Sequence, residues 1–115
     1  MEDCIFCKIV KGEIPSEKVI ENEDFVVIKD VKPAIEGHSL VIPKKHFETF
    51  SNMPCELGGG FVKTVQEAVI KLLEDTGSEG YNLVINSKGV AGQIVPHFHM
   101  HILPRKKGDG FRVSV

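Results

Sequence analysis

The sequence has little excess charge, few cysteines and no long apolar run, and each shortage excludes a class of protein. Fourteen basic against sixteen acidic residues leave a formal net charge of -2. No global field therefore gathers polyanions, a polymeric nucleic-acid partner is not expected, and any anionic ligand must be caught locally. No apolar run approaches the roughly 18 residues of a membrane span, so no membrane partner is expected either. The opening Met1-Glu2-Asp3-Cys4 has neither a basic n-region nor an apolar h-region, so a secretory leader is not expected there. The three cysteines, Cys4, Cys7 and Cys55, are odd in number. That suits a reducing, cytoplasmic compartment better than a disulfide framework. No internal repeat, low-complexity tract or linker-like shift breaks the chain, so a single unit over residues 1–115 is expected.

What is there describes a globular domain. The 115 residues are 42% hydrophobic and 26% charged, with a mean hydropathy of -0.01, enough for one ordinary core. Lys18–Glu21 and Phe25–Ile28 are β-branched runs around the turn-prone Glu21-Asn22-Glu23-Asp24, which predicts a hairpin. His38–Ile42 reads as a third strand, stopped at Pro43 because proline has no amide for a ladder. Between Glu56 and Asp75, the residues Phe61, Val62, Val65, Ala68, Val69, Leu72 and Leu73 recur at three- and four-residue spacing and predict the main helix. Gly77 suits its left-handed cap, whereas Gly58-Gly59-Gly60 would cost about 1 kcal/mol each and predict a frayed or delayed start. Tyr81–Asn86 reads as a strand, Ser87–Pro96 as a loop, and His97–Leu103 as a strand of strict alternation. Together these elements predict an α+β domain on an antiparallel sheet.

The alternating segment carries the chemistry. In a strand, His97, His99 and His101 share one face at about 6.6 Å intervals, and Phe98, Met100 and Ile102 take the other. Such an imidazole row either ligates a metal, or uses one ring to attack phosphorus while its neighbours bind charge and move protons. Spacing leaves both open. Just upstream, Gly89-Val90-Ala91-Gly92-Gln93 offers flexible amides of the kind that surround a phosphate, although a plain hairpin loop has the same composition.

Three separated segments then amount to a family resemblance: Cys4-Ile5-Phe6-Cys7-Lys8-Ile9, Gly37-His38-Ser39-Leu40-Val41-Ile42-Pro43-Lys44-Lys45-His46, and Gly92-Gln93-Ile94-Val95-Pro96-His97-Phe98-His99-Met100-His101. In this order, over about residues 3 to 104, the chain resembles the histidine triad (HIT) superfamily, and within it the Hint-like branch of bacterial and archaeal hydrolases. The resemblance implies an α+β, HIT-like fold: an antiparallel sheet of about five strands, one long and one short helix, and a two-fold homodimer across which the sheet extends. It implies a nucleotide hydrolase or transferase. His99 would attack the α-phosphorus of a purine phosphoramidate, dinucleoside polyphosphate or similar compound, and water would resolve the nucleotidyl-histidine. The sense of this is that a neutral imidazole is both a good nucleophile and, once phosphorylated, a good leaving group.

By the same resemblance His101 would touch phosphate and share protons, with His38 beside it, while Asn86, Gly92 and Gln93 hold phosphate oxygens. Asp30 would accept from the ribose hydroxyls, and Ile5, Phe6, Ile9, Ile28 and Val31 would form the base slot, although without the resemblance ordinary core packing is the reading of those five. One departure stands out: the branch carries a hydroxyl residue after Gly-Gln, and this chain has Ile94. That removes a donor near the leaving group and argues against efficient phosphoramidate cleavage. The carboxyl end after Arg105-Lys106-Lys107-Gly108-Asp109-Gly110 also differs from the eukaryotic pattern, and substrate preference would follow it.

Cys4-x-x-Cys7 is half of a tetrahedral zinc site by spacing. The resemblance supplies the other half, His46 and His97, as a closed structural site separate from His99, with no organic cofactor. Two other readings remain at this point: a nucleotide-binding regulatory module with incidental turnover, and a metallohydrolase with zinc on His97, His99 and His101.

Overall fold

A computed structural model describes residues 3–113. Met1, Glu2 and residues 114–115 lie outside the described residues, and with them the two ends of the expected unit and half of the segment read for a leader. Strands β1 (Lys18–Glu21) and β2 (Phe25–Lys29) form the expected hairpin. Asn22 folds its turn, Oδ1 accepting the amides of Asp24 at 3.1 Å and Phe25 at 2.9 Å, an Asx turn. With β3 (Ser39–Pro43), β4 (Gly80–Val84) and β5 (Met100–Arg105) they make a five-stranded antiparallel sheet of order β1-β2-β3-β5-β4. Pro43 is the last residue of β3, paired with Phe25, where a missing amide costs nothing further along the ladder.

Helices cover both faces of this sheet, which is why β2 and β3 read as unbroken apolar runs. Helix α2 (Gly58–Thr76) sets Phe61, Val65, Ala68, Val69 and Leu72 against Phe25, Val27, Val41, Phe98, Met100 and Ile102. On the opposite face the short helix α1 (Ile5–Val10) packs Phe6 and Ile9 onto Val26, Ile28, Leu40 and Ile42. Each such Val, Leu, Ile, Phe or Met side chain contributes roughly 1.5–3 kcal/mol on burial. Gly77 ends α2 at φ 70°, its amide donating to the Leu73 carbonyl, as its position predicts.

Four expectations need correction. Helix α2 starts at Gly58 without a frayed turn. The 3-10 turn Cys55–Leu57 leads straight into it, and the Thr64 hydroxyl donates to the Gly60 carbonyl at 2.7 Å, so tertiary context overrides weak propensity. Val62, counted in the apolar stripe, is exposed. Strand β4 runs from Gly80 and stops at Val84, leaving Asn86 beyond the ladder. The histidine strand begins only at Met100, because the Phe98 amide donates to the Phe47 carbonyl at 2.7 Å and the His97 amide to Val95 at 2.8 Å. Residues 97–99 thus lie before the sheet strand, His97 in a bend and Phe98 bonded outside the ladder.

Candidate active site and metal centre

Gly37 positions the first histidine of the cluster. Its φ is +85°, and a Cβ there would meet Thr76 Cγ2 at 2.7 Å and Pro104 Cγ at 3.0 Å, so only glycine fits. His38 follows at the edge of β3 and accepts the Ala34 amide at Nδ1, 3.0 Å away. A ring that accepts at Nδ1 carries its proton on Nε2, and His38 Nε2 lies 2.9 Å from His101 Nδ1. His101 therefore accepts there and keeps its own proton on Nε2. Asp30 Oδ2 stands 3.6 Å from His38 Nε2, and Asp30 Oδ1 accepts the Lys32 amide at 2.9 Å.

His99 has the opposite tautomer. Its Nδ1 is 2.8 Å from the His97 carbonyl and so donates, which leaves Nε2 with a lone pair. Phe6 meets this ring edge-on, centroids 4.9 Å apart, and His101 meets it at 5.2 Å. Burial pushes the pKa of His99 below the ordinary histidine value, against the opposing pull of the His97 carbonyl and Asp30. His38 is lowered by burial too, with Asp30 opposing. His101 falls to about 4, first through burial and then through repulsion from His99 and His38. All three are neutral at pH 7.

The two remaining histidines turn away to the cysteines. His97 Nε2 donates to the Pro43 carbonyl at 2.9 Å, so its Nδ1 lone pair faces Cys4 Sγ at 3.3 Å, Cys7 Sγ at 3.6 Å and His46 Nδ1 at 3.0 Å. Cys7 Sγ lies 3.3 Å from His46 Nδ1. The start of α1 brings the two thiols together: Cys4 caps the helix and accepts the Cys7 amide. Burial raises the Cys7 thiol, and Cys4 beside it adds to the effect. Zinc–ligand bonds of about 2.0–2.3 Å in a tetrahedron give ligand separations of roughly 3.3–3.8 Å, close to those found. Two soft sulfurs and two imidazole lone pairs converging on one point fit that ion. Cys55 is exposed and outside the cluster.

A second convergent set, Asp30, His38 and His101, suits a metal poorly. The Ala34 amide occupies His38 Nδ1, so Nε2 is protonated and has no lone pair to give. Nor do His97, His99 and His101 share a ligand point among the described residues, since His97 belongs with the cysteines. The three-imidazole zinc reading is therefore corrected on geometry.

The loop above the rings is built differently from expectation. Gln93 spends both amide protons inside the protein, on Glu48 O at 2.8 Å and Val95 O at 3.1 Å, and its Oε1 accepts the Lys88 amide at 2.7 Å. It shapes the loop rather than offering a free donor. Gly92 turns at φ +96°, where an added Cβ would stand 3.8 Å from the Asn86 side chain, and Asn86 lines a cavity with His38 and His101. Of the expected base slot, Phe6, Ile9 and Ile28 belong to the packed cluster under α1, whereas Ile5 and Val31 are exposed. The Ala34 amide, the Pro43 carbonyl and Glu48 were not foreseen. They act through the backbone or across long separations, and nothing in their residue types signals it.

The model of the HIT domain matches residues 11–108. An uncharacterized HIT-like protein of Methanocaldococcus jannaschii is 49% identical over 107 residues, 93% of this chain and 82% of the relative. An adenylylsulfatase of Arabidopsis thaliana is 39% identical over 93% of this chain and 54% of its own length. An adenosine 5'-monophosphoramidase of Candida albicans is 41% identical, covering 90% and 70%. Among solved structures, a HIT family member from Bacillus subtilis superposes with a TM-score of 0.91 at 40% identity, covering 98% of this chain and 81% of that one. A Zn-bound histidine triad family protein from Mycobacterium smegmatis gives 0.89 at 36% identity, covering 96% and 81%.

Proposed function

The chain belongs to the HIT family, and from that premise we propose that it is a nucleotide hydrolase acting at the α-phosphate of nucleoside monophosphoryl compounds through a covalent nucleotidyl-histidine. The observation that carries this reading is the tautomer of His99: a neutral ring held at Nδ1 by the His97 carbonyl, with a free Nε2 lone pair. Nε2 attacks phosphorus and the P–N bond forms as the leaving group departs with its electron pair. Water then displaces the histidine, and the nucleoside monophosphate is released. His101, a donor at Nε2, steadies a phosphate oxygen, and His38 holds His101 in that form. Asn86 and the turn at Gly92 border the phosphate, with Gln93 fixing the turn. Asp30 faces the ribose hydroxyls, and Ile5 and Val31 supply exposed apolar surface for the base above the Phe6, Ile9 and Ile28 layer. A purine is the proposed base, in line with the adenylyl group in the name of one relative and the adenosine in that of another.

Zinc on Cys4, Cys7, His46 and His97 is the proposed resident metal, a closed site that ties the amino end to the sheet and takes no part in bond breaking. A second copy of the chain is the proposed partner, across the exposed face of α2 and the free edge of β4. Ile94, 91% exposed and without a hydroxyl, also keeps open the reading of a nucleotide-binding regulatory module. The test is a steady-state quench with nucleotide labelled at the α-phosphate. Label on His99 is expected, with turnover lost and binding retained in His99→Asn. An unchanged rate in that variant overturns the covalent mechanism.

A further inference from the structure

The segment after β5 folds back toward the histidine cluster, and one side chain does the folding. Arg105 donates from Nε to Asp109 Oδ2 at 2.8 Å, from Nη2 to Asp109 Oδ1 at 3.0 Å and from Nη1 to Asn82 Oδ1 at 2.8 Å. It also bonds the Phe111 carbonyl, and its guanidinium lies 5.2 Å from the centroid of the Phe111 ring. Asp109 closes the turn by accepting the amides of Lys106 at 3.0 Å and Phe111 at 3.1 Å. The clasp is complete without Arg112, the residue that follows it. Arg112 is exposed and forms no ion pair among the described residues. Yet it borders a cavity of about 270 Å³ whose other walls include Ala34, His38, Asn86, His101 and Phe111.

We infer that Arg112 is the leaving-group cation of this site, selecting nucleotides whose leaving group is an oxyanion, sulfate or phosphate, over those that release an amine. The inference rests on the covalent reaction at His99. In an in-line displacement the leaving group departs away from the attacking nitrogen, and the Arg112 cavity is walled by His101 and His38 but not by His99. With adenosine 5'-phosphosulfate, His99 Nε2 forms the P–N bond, the P–O bond to sulfate breaks, and sulfate leaves as a dianion with the electron pair. Water then attacks phosphorus, the pair of the P–N bond returns to Nε2, and the spare proton passes to solvent. Sulfate needs no proton but gains a charge, which a guanidinium stabilises well. An amine must be protonated to leave, and the cavity is poorly built for that. His101 accepts at Nδ1 and is a neutral donor, not an acid, while position 94 is isoleucine.

The experiment compares adenosine 5'-phosphosulfate with adenosine 5'-phosphoramidate, one nucleoside with two leaving groups, on the full chain and on Arg112→Gln and Arg112→Lys. Wild type is expected to favour the phosphosulfate. Arg112→Gln should lose about tenfold in kcat/KM on it, less than about twofold on the phosphoramidate, and Arg112→Lys should recover most of the loss. A wild type that favours the phosphoramidate, or an equal effect of Arg112→Gln on both compounds, overturns the inference and leaves the His99 reaction standing. Turnover of neither compound by wild type overturns both.

Discussion

The Nδ1 proton of His99 rests on the carbonyl of His97 at 2.8 Å, and His97 turns its own Nδ1 to Cys4, Cys7 and His46. One residue thus belongs to both centres, side chain to the proposed metal cluster and carbonyl to the proposed nucleophile. Whatever fixes the His97 ring also fixes the oxygen that sets the His99 tautomer.

That linkage makes metal loss a measurable event. About one zinc per chain is expected by elemental analysis, and the Cys4→Ser, Cys7→Ser double variant should lose it. Melting should fall by roughly 10 °C or more, since metal binding free energy is folding free energy here. Turnover should fall through kcat more than KM, because the substrate surface stays while the orientation of His99 is loosened. Protein that never carried metal and melts unchanged in the double variant removes the zinc site.

A second expectation concerns acid. The pKa of His101 is about 4 in the folded chain against 6.5 ordinarily, mainly through burial. Above pH 6.5 the ring is neutral both folded and unfolded, so it takes nothing from stability. As pH falls from 6.5 to 4 the unfolded chain takes up a proton that the folded one refuses. Stability then drops, by on the order of 2–3 kcal/mol at the lower end. Urea midpoints at pH 7 and pH 4.5 should therefore differ less in His101→Gln than in wild type. Equal pH dependence in the two proteins would place the acid sensitivity elsewhere.

Gly37 is the third point to probe. Ala at that position must adopt φ +85° and also push Thr76 Cγ2, 2.7 Å from its Cβ, out of place. The two penalties together predict a loss of roughly 2–4 kcal/mol. Because His38 is the next residue, activity at a temperature where the variant is folded should fall as well. Gly12→Ala is the control: it shares positive φ but has nothing within 4 Å of the added Cβ, so only the backbone cost should appear. Equal melting of the two variants would show that the crowding at Gly37 relaxes freely.

Much of this was legible in the residues, and the exceptions have one cause. The hairpin turn, the α2 stripe and the Gly77 cap are local effects, and period and composition reveal them. The histidine alternation predicts the three rings on one face, and Phe6 of α1 meets two of them, His97 and His99, edge-on. Yet those two stand outside the sheet, because the Phe98 amide finds a carbonyl at Phe47, 51 residues back in the chain. Gln93 and His38 likewise depend on partners whose contribution is a backbone atom. An amide of Ala34 or a carbonyl of Glu48 has no signature in its side chain, so the loop's true support and the His101 tautomer emerge only from coordinates.

The free edge of β4 carries the last expectation. Among the described residues strand β4 pairs only with β5, so its outer edge has no neighbouring strand there, an arrangement that proteins normally cover or blunt. Beside it the exposed α2 residues Val62 and Ile70 and the β4 residues Tyr81 and Leu83 border an apolar groove of about 520 Å³. Water against that much apolar surface is unfavourable, and a two-fold copy would answer both needs at once, helix against helix and edge against edge. Sedimentation at micromolar concentration should give a dimer. The Ile70→Glu, Leu83→Glu double variant should shift it to monomer, because two charges per copy, four per interface, would be buried without partners. Wild type sedimenting as a monomer at about 50 µM, well above the dissociation constants of ordinary stable interfaces, would leave the β4 edge bare and rule out the proposed second copy.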